Sequence, residues 1–186
     1  MLLVGGGEVL RLNARCLSGG SVIWFDAMMP SWSRYEPYDL CLQGRVYSVS
    51  LAASIGGGLT VWSQIKTNAK KVTVVHYDLV ALSENMRFSA YESPTITNGT
   101  TAVTPVCVNR NVSEAAVTQF YTDPTGVSGG TLLLVHGMPT GANKVGGTAG
   151  DTETWVLKPN TSYGIKLENL GNSTSEFVFN MGFYEV

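Results

Sequence analysis

The chain has 186 residues, a formal net charge of -2 and a charged fraction of only 14%. That length suits one domain plus an extended arm and buries a core without disulfides or metals. The charge excludes a nucleic-acid binder: the 12 Lys and Arg residues are scattered, Lys70-Lys71 is their only adjacent pair, and phosphate neutralisation needs clustered cations. An average soluble domain carries about 25% charged residues, so a weakly charged surface predicts a partner, a homo-oligomer or an assembly.

The apolar start Met1-Leu2-Leu3-Val4 breaks at Gly5-Gly6-Gly7-Glu8. This fits neither a signal peptide nor a membrane span, and no apolar run of spanning length follows. Residues 1–44 read as an irregular or extended N-terminal arm without clear periodicity. Within it, Trp24, Phe25, Met28, Met29, Trp32, Tyr35 and Tyr38 crowd together. Aromatic and Met side chains are the anchors that protein interfaces enrich, so these seven are the candidate docking residues. Cys16, Cys41 and Cys107 are odd in number and widely spaced. They predict free thiols in a reducing cytosol and no disulfide framework.

From Arg45 onward the chain reads as short strands separated by turn signals, a domain over 45–186. Segments 59–64, 72–77, 86–91 and 163–168 alternate two faces, and segments near 45–53, 104–110, 116–122, 130–136 and 152–157 also read as strands. Val72, Val74 and His76 share a face, which predicts an inward, satisfied His76. The last strand is the clearest, with Phe177, Phe179, Met181 and Phe183 in one row. Gly171-Asn172-Ser173 predicts a hairpin joining it to the segment before. Gly137–Gly150 reads as a long loop of small residues. Asn98, Asn111, Asn160 and Asn172 head Asn-x-Ser/Thr triplets that read as turn chemistry rather than glycosylation sites. No window carries a capped 3.6-residue period, and 21 glycines weigh against helix. The fold class is therefore all-β, an antiparallel sandwich or barrel.

Chemistry finds little support. Gly126-Val127-Ser128-Gly129-Gly130 matches G-x-S-x-G by letter. It follows Asp123-Pro124 and feeds a strand, whereas a nucleophile elbow opens a helix. His76 and His136 are the only histidines. No metal-ligand spacing, phosphate cradle or cofactor motif is present. Glu92, Asp123, Asp151 and Glu153 are carboxylates with nothing in the sequence to pair them. The expectation is a non-enzymatic protein with no catalytic, cofactor-binding or metal residues.

Several segments then form a recognisable order. They are Tyr91-Glu92-Ser93-Pro94-Thr95-Ile96-Thr97-Asn98-Gly99-Thr100, Val108-Asn109-Arg110-Asn111, Gly129-Gly130-Thr131-Leu132-Leu133, Glu153-Thr154-Trp155-Val156-Leu157-Lys158-Pro159-Asn160-Thr161-Ser162-Tyr163 and Leu167-Glu168-Asn169-Leu170. Over about residues 45–186 this order resembles a family of tailed-bacteriophage virion structural proteins, some of which resemble jelly-roll capsid cement or decoration proteins. The resemblance implies a jelly-roll-like sandwich with Trp155-Val156-Leu157 as a fully buried strand. It also implies a non-enzymatic protein made in the host bacterial cytoplasm and carried on the capsid surface of the virion. Its partners would be the major capsid protein or other virion proteins and further copies of itself, as a dimer or trimer. A tail or head-fibre component is the nearest alternative. A host-glycan-binding sandwich, with Trp24, Trp32, Tyr35 and Tyr38 stacking on sugar rings, is the alternative from another class.

Overall fold

The computed structural model describes residues 2–3, 10–15, 22–27, 40–97, 99, 101–138, 147–151 and 154–186. The chain divides into two units, Met1–Leu40 and Cys41–Val186.

In the first unit, β1 (Leu2–Leu3), β2 (Leu10–Arg15) and β3 (Val22–Ala27) form an antiparallel sheet in the order β1-β2-β3. A segment without sequence periodicity therefore holds three extended strands. Backbone pairing such as Leu12 with Phe25 ties them, and such pairing needs no regular apolar row.

The second unit is a sandwich of two antiparallel sheets. Its main strands are β4 (Val46–Ile55), β5 (Thr60–Lys66), β6 (Val72–Ala81), β7 (Met86–Glu92), β13 (Thr131–Met138), β14 (Gly147–Asp151), β15 (Trp155–Leu157), β16 (Ser162–Asn169) and β17 (Ser175–Glu185). Short strands β8 (Thr95–Thr97), β9 (Thr101–Val103), β10 (Val106–Cys107), β11 (Gln119–Thr122) and β12 (Thr125–Ser128) belong to the insertion between β7 and β13. One sheet runs β10-β4-β17-β6-β14, with β15 also on β6; the other runs β13-β7-β16-β5-β11-β9. Without the insertion, the orders are β4-β17-β6-β14/β15 and β13-β7-β16-β5. Strands interleaved in this way between two four-stranded sheets are a jelly roll.

The inner rows explain why the chain folds so. Tyr47, Val49, Leu51 and Ile55 of β4 face inward beside Phe177, Phe179, Met181 and Phe183 of β17, all buried. Opposite them lie Tyr163, Ile165 and Leu167 of β16 with Met86 and Phe88 of β7. Rings stack between the sheets: Phe88 lies 5.9 Å from Phe179 and 6.2 Å from Tyr77. Offset contacts of this kind add to simple apolar burial.

Four expectations change. β16 and β17 do not form a hairpin: β16 pairs with β5 and β7, and β17 with β4 and β6. Both strands carry a full apolar row, and facing the rows across the roughly 10 Å between sheets buries more than placing them side by side. His76 is exposed rather than inward. The register between β6 and β17 shifts between Gly182 and Phe183, leaving Val75 unopposed. This bulge turns Val72 and Val74 inward and, beyond it, Tyr77, Leu79 and Ala81. Trp155-Val156-Leu157 is not fully buried, because β15 pairs only along β6 and leaves Val156 57% exposed. Finally, both ends of the 137–150 stretch are strand: Gly137 and Met138 end β13, and Gly147–Asp151 is β14 along β6. Residues 139–146 lie outside the described residues.

Candidate docking surfaces and the motif node

Of the seven candidate docking residues, Trp24 and Phe25 stand in β3, paired with Asn13 and Leu12 of β2. Met28, Met29, Trp32, Tyr35 and Tyr38 lie outside the described residues.

Three of the five segments that carry the family resemblance meet around Glu92. The Lys158 ammonium donates to Glu92 Oε1 at 2.7 Å. Tyr163 Oη donates to Glu92 Oε2 at 3.4 Å and accepts the Lys158 backbone N–H at 2.7 Å. Burial, and after it the Glu92 carboxylate, pushes the Tyr163 phenol up, so it stays a neutral donor. The Lys158-Pro159-Asn160-Thr161 turn is clamped by Thr67. Thr67 Oγ1 donates to Lys158 O at 2.6 Å and accepts from Thr161 N at 2.9 Å. Asn160 has a φ of 51°, a left-handed conformation that Asn tolerates, and donates its N–H to Asn68 O. Gly130 joins the same node. Its φ is 89°, and a Cβ there would press on Glu92 O at 2.9 Å and on Pro94. The node couples the ends of β7, β13 and β16 to the turn before β16.

Asn109 performs a local task. Its Nδ2 donates to Leu42 O and its Oδ1 accepts from Asn111 N, so it ties its loop to the 40–44 turn. Cys107 and Cys41 are unpaired, and the Cys107 thiol points to Gly44 O and Asn109 O.

Glu185 is 1% exposed yet satisfied. It accepts the Thr118 N–H at 2.7 Å and the Val117 N–H at 3.1 Å, with Lys70 Nζ at 3.9 Å. A buried carboxylate needs such donors, and these two fasten the insertion to the last strand. Tyr47 lies nearby, its phenol pushed up by burial and then by Glu185.

The outer face of the β7-β16-β5 sheet carries a patch that the sequence reading did not single out. Trp62 and Tyr91 lie 5.5 Å apart, and Lys166 Nζ sits 5.9 Å over the Trp62 ring. Glu168 accepts from Arg87 at 2.7 Å and from Lys166 at 2.7 Å. The signal was present in the alternation: Trp62, Tyr91 and Lys166 occupy the positions opposite the inner rows.

The residues weighed for catalysis do not gather. Ser128 is exposed in β12, paired with Thr95 of β8. His136 Nε2 lies 2.6 Å from Tyr77 Oη across the sandwich, and His76 is on the outer face of the other sheet. Asp123 holds a turn with a φ of 55°, Asp151 ends β14, and Glu153 lies outside the described residues. Among the described residues, no three His, Cys, Asp or Glu side chains form a group that could hold a metal.

No family model matches the chain, and no curated protein matches it. Among solved structures, a chain of the T=1 particles derived from infectious bursal virus is similar at 14% identity with a TM-score of 0.20. The match covers 95% of this chain and 44% of that one, so the chain spans less than half its length. The jelly-roll assignment rests on the strand order and not on that overlay.

Proposed function

We propose that this chain is a non-enzymatic structural protein of a tailed-bacteriophage virion. It would bind the head surface as a cement or decoration protein, with the major capsid protein as partner and the aromatic arm around Trp24 and Trp32 as docking segment. The observation that carries the reading is the node at Glu92. Segments whose order resembles the phage family, far apart in sequence, meet there through Lys158, Tyr163 and Gly130. Their spacing therefore has a physical cause, which ties the resemblance to the folded domain rather than to scattered letters. The low charge fraction and the two-sheet architecture suit a surface block of an assembly.

The test is co-sedimentation of the purified chain with phage heads that lack it. Saturable binding at a fixed ratio to the major capsid protein is expected. Heads that sediment without it, at concentrations well above those in an infected cell, would overturn the reading. Binding to tails or fibres instead would move the protein within the virion. Binding to a glycan array, lost on Trp62→Ala, would favour the sugar-binding alternative, for which the Trp62–Tyr91 pair is the one structural argument.

A further inference from the structure

One end of the second sheet differs from the other sheet ends of the sandwich. Elsewhere the sandwich is closed off by short strands: β9 and β15 have three residues, β10 has two and β14 has five. β13 has eight, and among the described residues it pairs with β7 alone. Thr131–Met138 contains no Asp, Glu, Lys, Arg or Pro. Soluble proteins blunt such edges with charge, proline or a covering segment, and β13 has neither charge nor proline along its length.

The side chains point the same way. The register of β13 on β7 shifts between Leu132 and Leu134, so Leu133 is a bulge. As a result Leu132 and Val135 both stand on the outer face, opposite Tyr91 and Ser89, and are 50% and 47% exposed. On the inner side, half-buried Leu133 and Leu134 line a cavity of about 70 Å³ between the sheets, with half-buried Trp155 across from them. The Trp155 indole N–H finds no acceptor.

We propose that β13 pairs antiparallel with β13 of a second copy across a two-fold axis, joining the two six-stranded sheets into one. A second copy is the occupant because an antiparallel edge is complementary to itself. Two-fold pairing of a charged edge would oppose like charges, and this edge has none to oppose. In that geometry the inner faces of both strands lie on the same side, so Leu134 of each copy adjoins the inner face of the other. Leu132 and Val135 of the two copies form one apolar strip outside. The bulge confines the regular ladder to Leu134–Met138, which gives about five backbone hydrogen bonds, half the number in an ordinary interface. The apolar strip supplies the remainder. The dimer goes beyond the virion reading and stands without it.

The test is sedimentation equilibrium of the full chain beside the double variant Leu132→Lys/Val135→Lys and the control Ala102→Lys, an exposed position on β9 at the far end of the sheet. The native chain and the control should be discrete dimers. The double variant should dissociate at least about a hundredfold more readily, with unchanged circular dichroism, since it puts charges into the apolar strip along the edge. A native chain that stays monomeric at about 100 μM, above the range of functional weak dimers, would overturn the proposal. So would open-ended association, or a double variant as dimeric as the native chain. Should the double variant fail to fold, hydrogen exchange on the native chain decides: those amides of Leu134–Met138 that point away from β7 must gain protection between dilute and concentrated samples, and unchanged protection refutes the pairing. A monomer that still binds heads overturns only this inference, and a dimer that ignores heads overturns only the virion reading.

Discussion

Glu168 lies on the outer face between Arg87 and Lys166, bonded to both. The Arg87 hydrogen bond, helped by Lys166 and opposed by partial burial, lowers its pKa from 4.5 to about 2. A depressed carboxylate pKa stabilises the fold above the unfolded value and loses that contribution as pH falls through the folded one. The contribution should therefore be complete above about pH 5 and fade between pH 4.5 and about 2. Both cations are partly in water, so it is on the order of 1–2 kcal/mol rather than the full Coulomb value. Urea unfolding of the native chain and Glu168→Gln should differ by that amount at pH 6 and converge near pH 2. Equal stabilities at pH 6 would show that the ion cluster is ornamental. Single residues also account for the least legible parts of the sequence. Nothing in the alternation of Val72, Val74 and His76 announces that Val75 bulges, because the bulge is a property of the pairing with β17.

Two connections interlock at one end of the sandwich, the β4–β5 turn and the β16–β17 crossing. Gly58 N–H donates to Gly171 O at 3.0 Å. Asn169 Nδ2 donates to Ile55 O and Ser173 O, each at 2.8 Å, and its Oδ1 accepts from Gly171 N. A Cβ at Gly57 would overlap the Asn172 backbone, which has no flexible end to swing away. Gly57→Ala should therefore cost about 2 kcal/mol or more, read as a lowered denaturation midpoint. Gly58→Ala meets open space and strains only its φ of 69°, at about 1 kcal/mol. A reversed order would mean that the two connections do not pack as described. The same interlock explains the missing hairpin. A connection over 170–174 is long enough for a hairpin or for a crossing between sheets, and the glycine and asparagine signals suit both.

At the scale of the molecule, the buried cluster runs from Tyr47 to Phe183 and lies within Cys41–Val186. It draws on both sheets and on Phe120 of the insertion, 5.5 Å from Phe183. The Cys41–Val186 fragment should unfold cooperatively, with a thermal midpoint within about 5 °C of the full chain. Under the proposed function it should also lose binding to heads. Calorimetry and co-sedimentation check the two halves separately: a molten fragment would refute the first, and undiminished binding the role given to the arm.

Alternation in sequence determined much of this protein. Inner and outer rows of β16 and β17, the all-β class and the turn at Lys158-Pro159-Asn160 follow from period two and from the backbone preferences of Pro and Asn, which act locally. Tertiary structure decided the rest: which strands are neighbours, that β16 and β17 lie in different sheets, that His76 points out and that Val156 is exposed. It alone revealed the Trp62–Tyr91 patch as a pair and β13 as a strand that, among the described residues, pairs with β7 alone. Pairing and exposure depend on what the remainder of the chain brings alongside each strand, and a strand's own residues carry its pattern but not its neighbours.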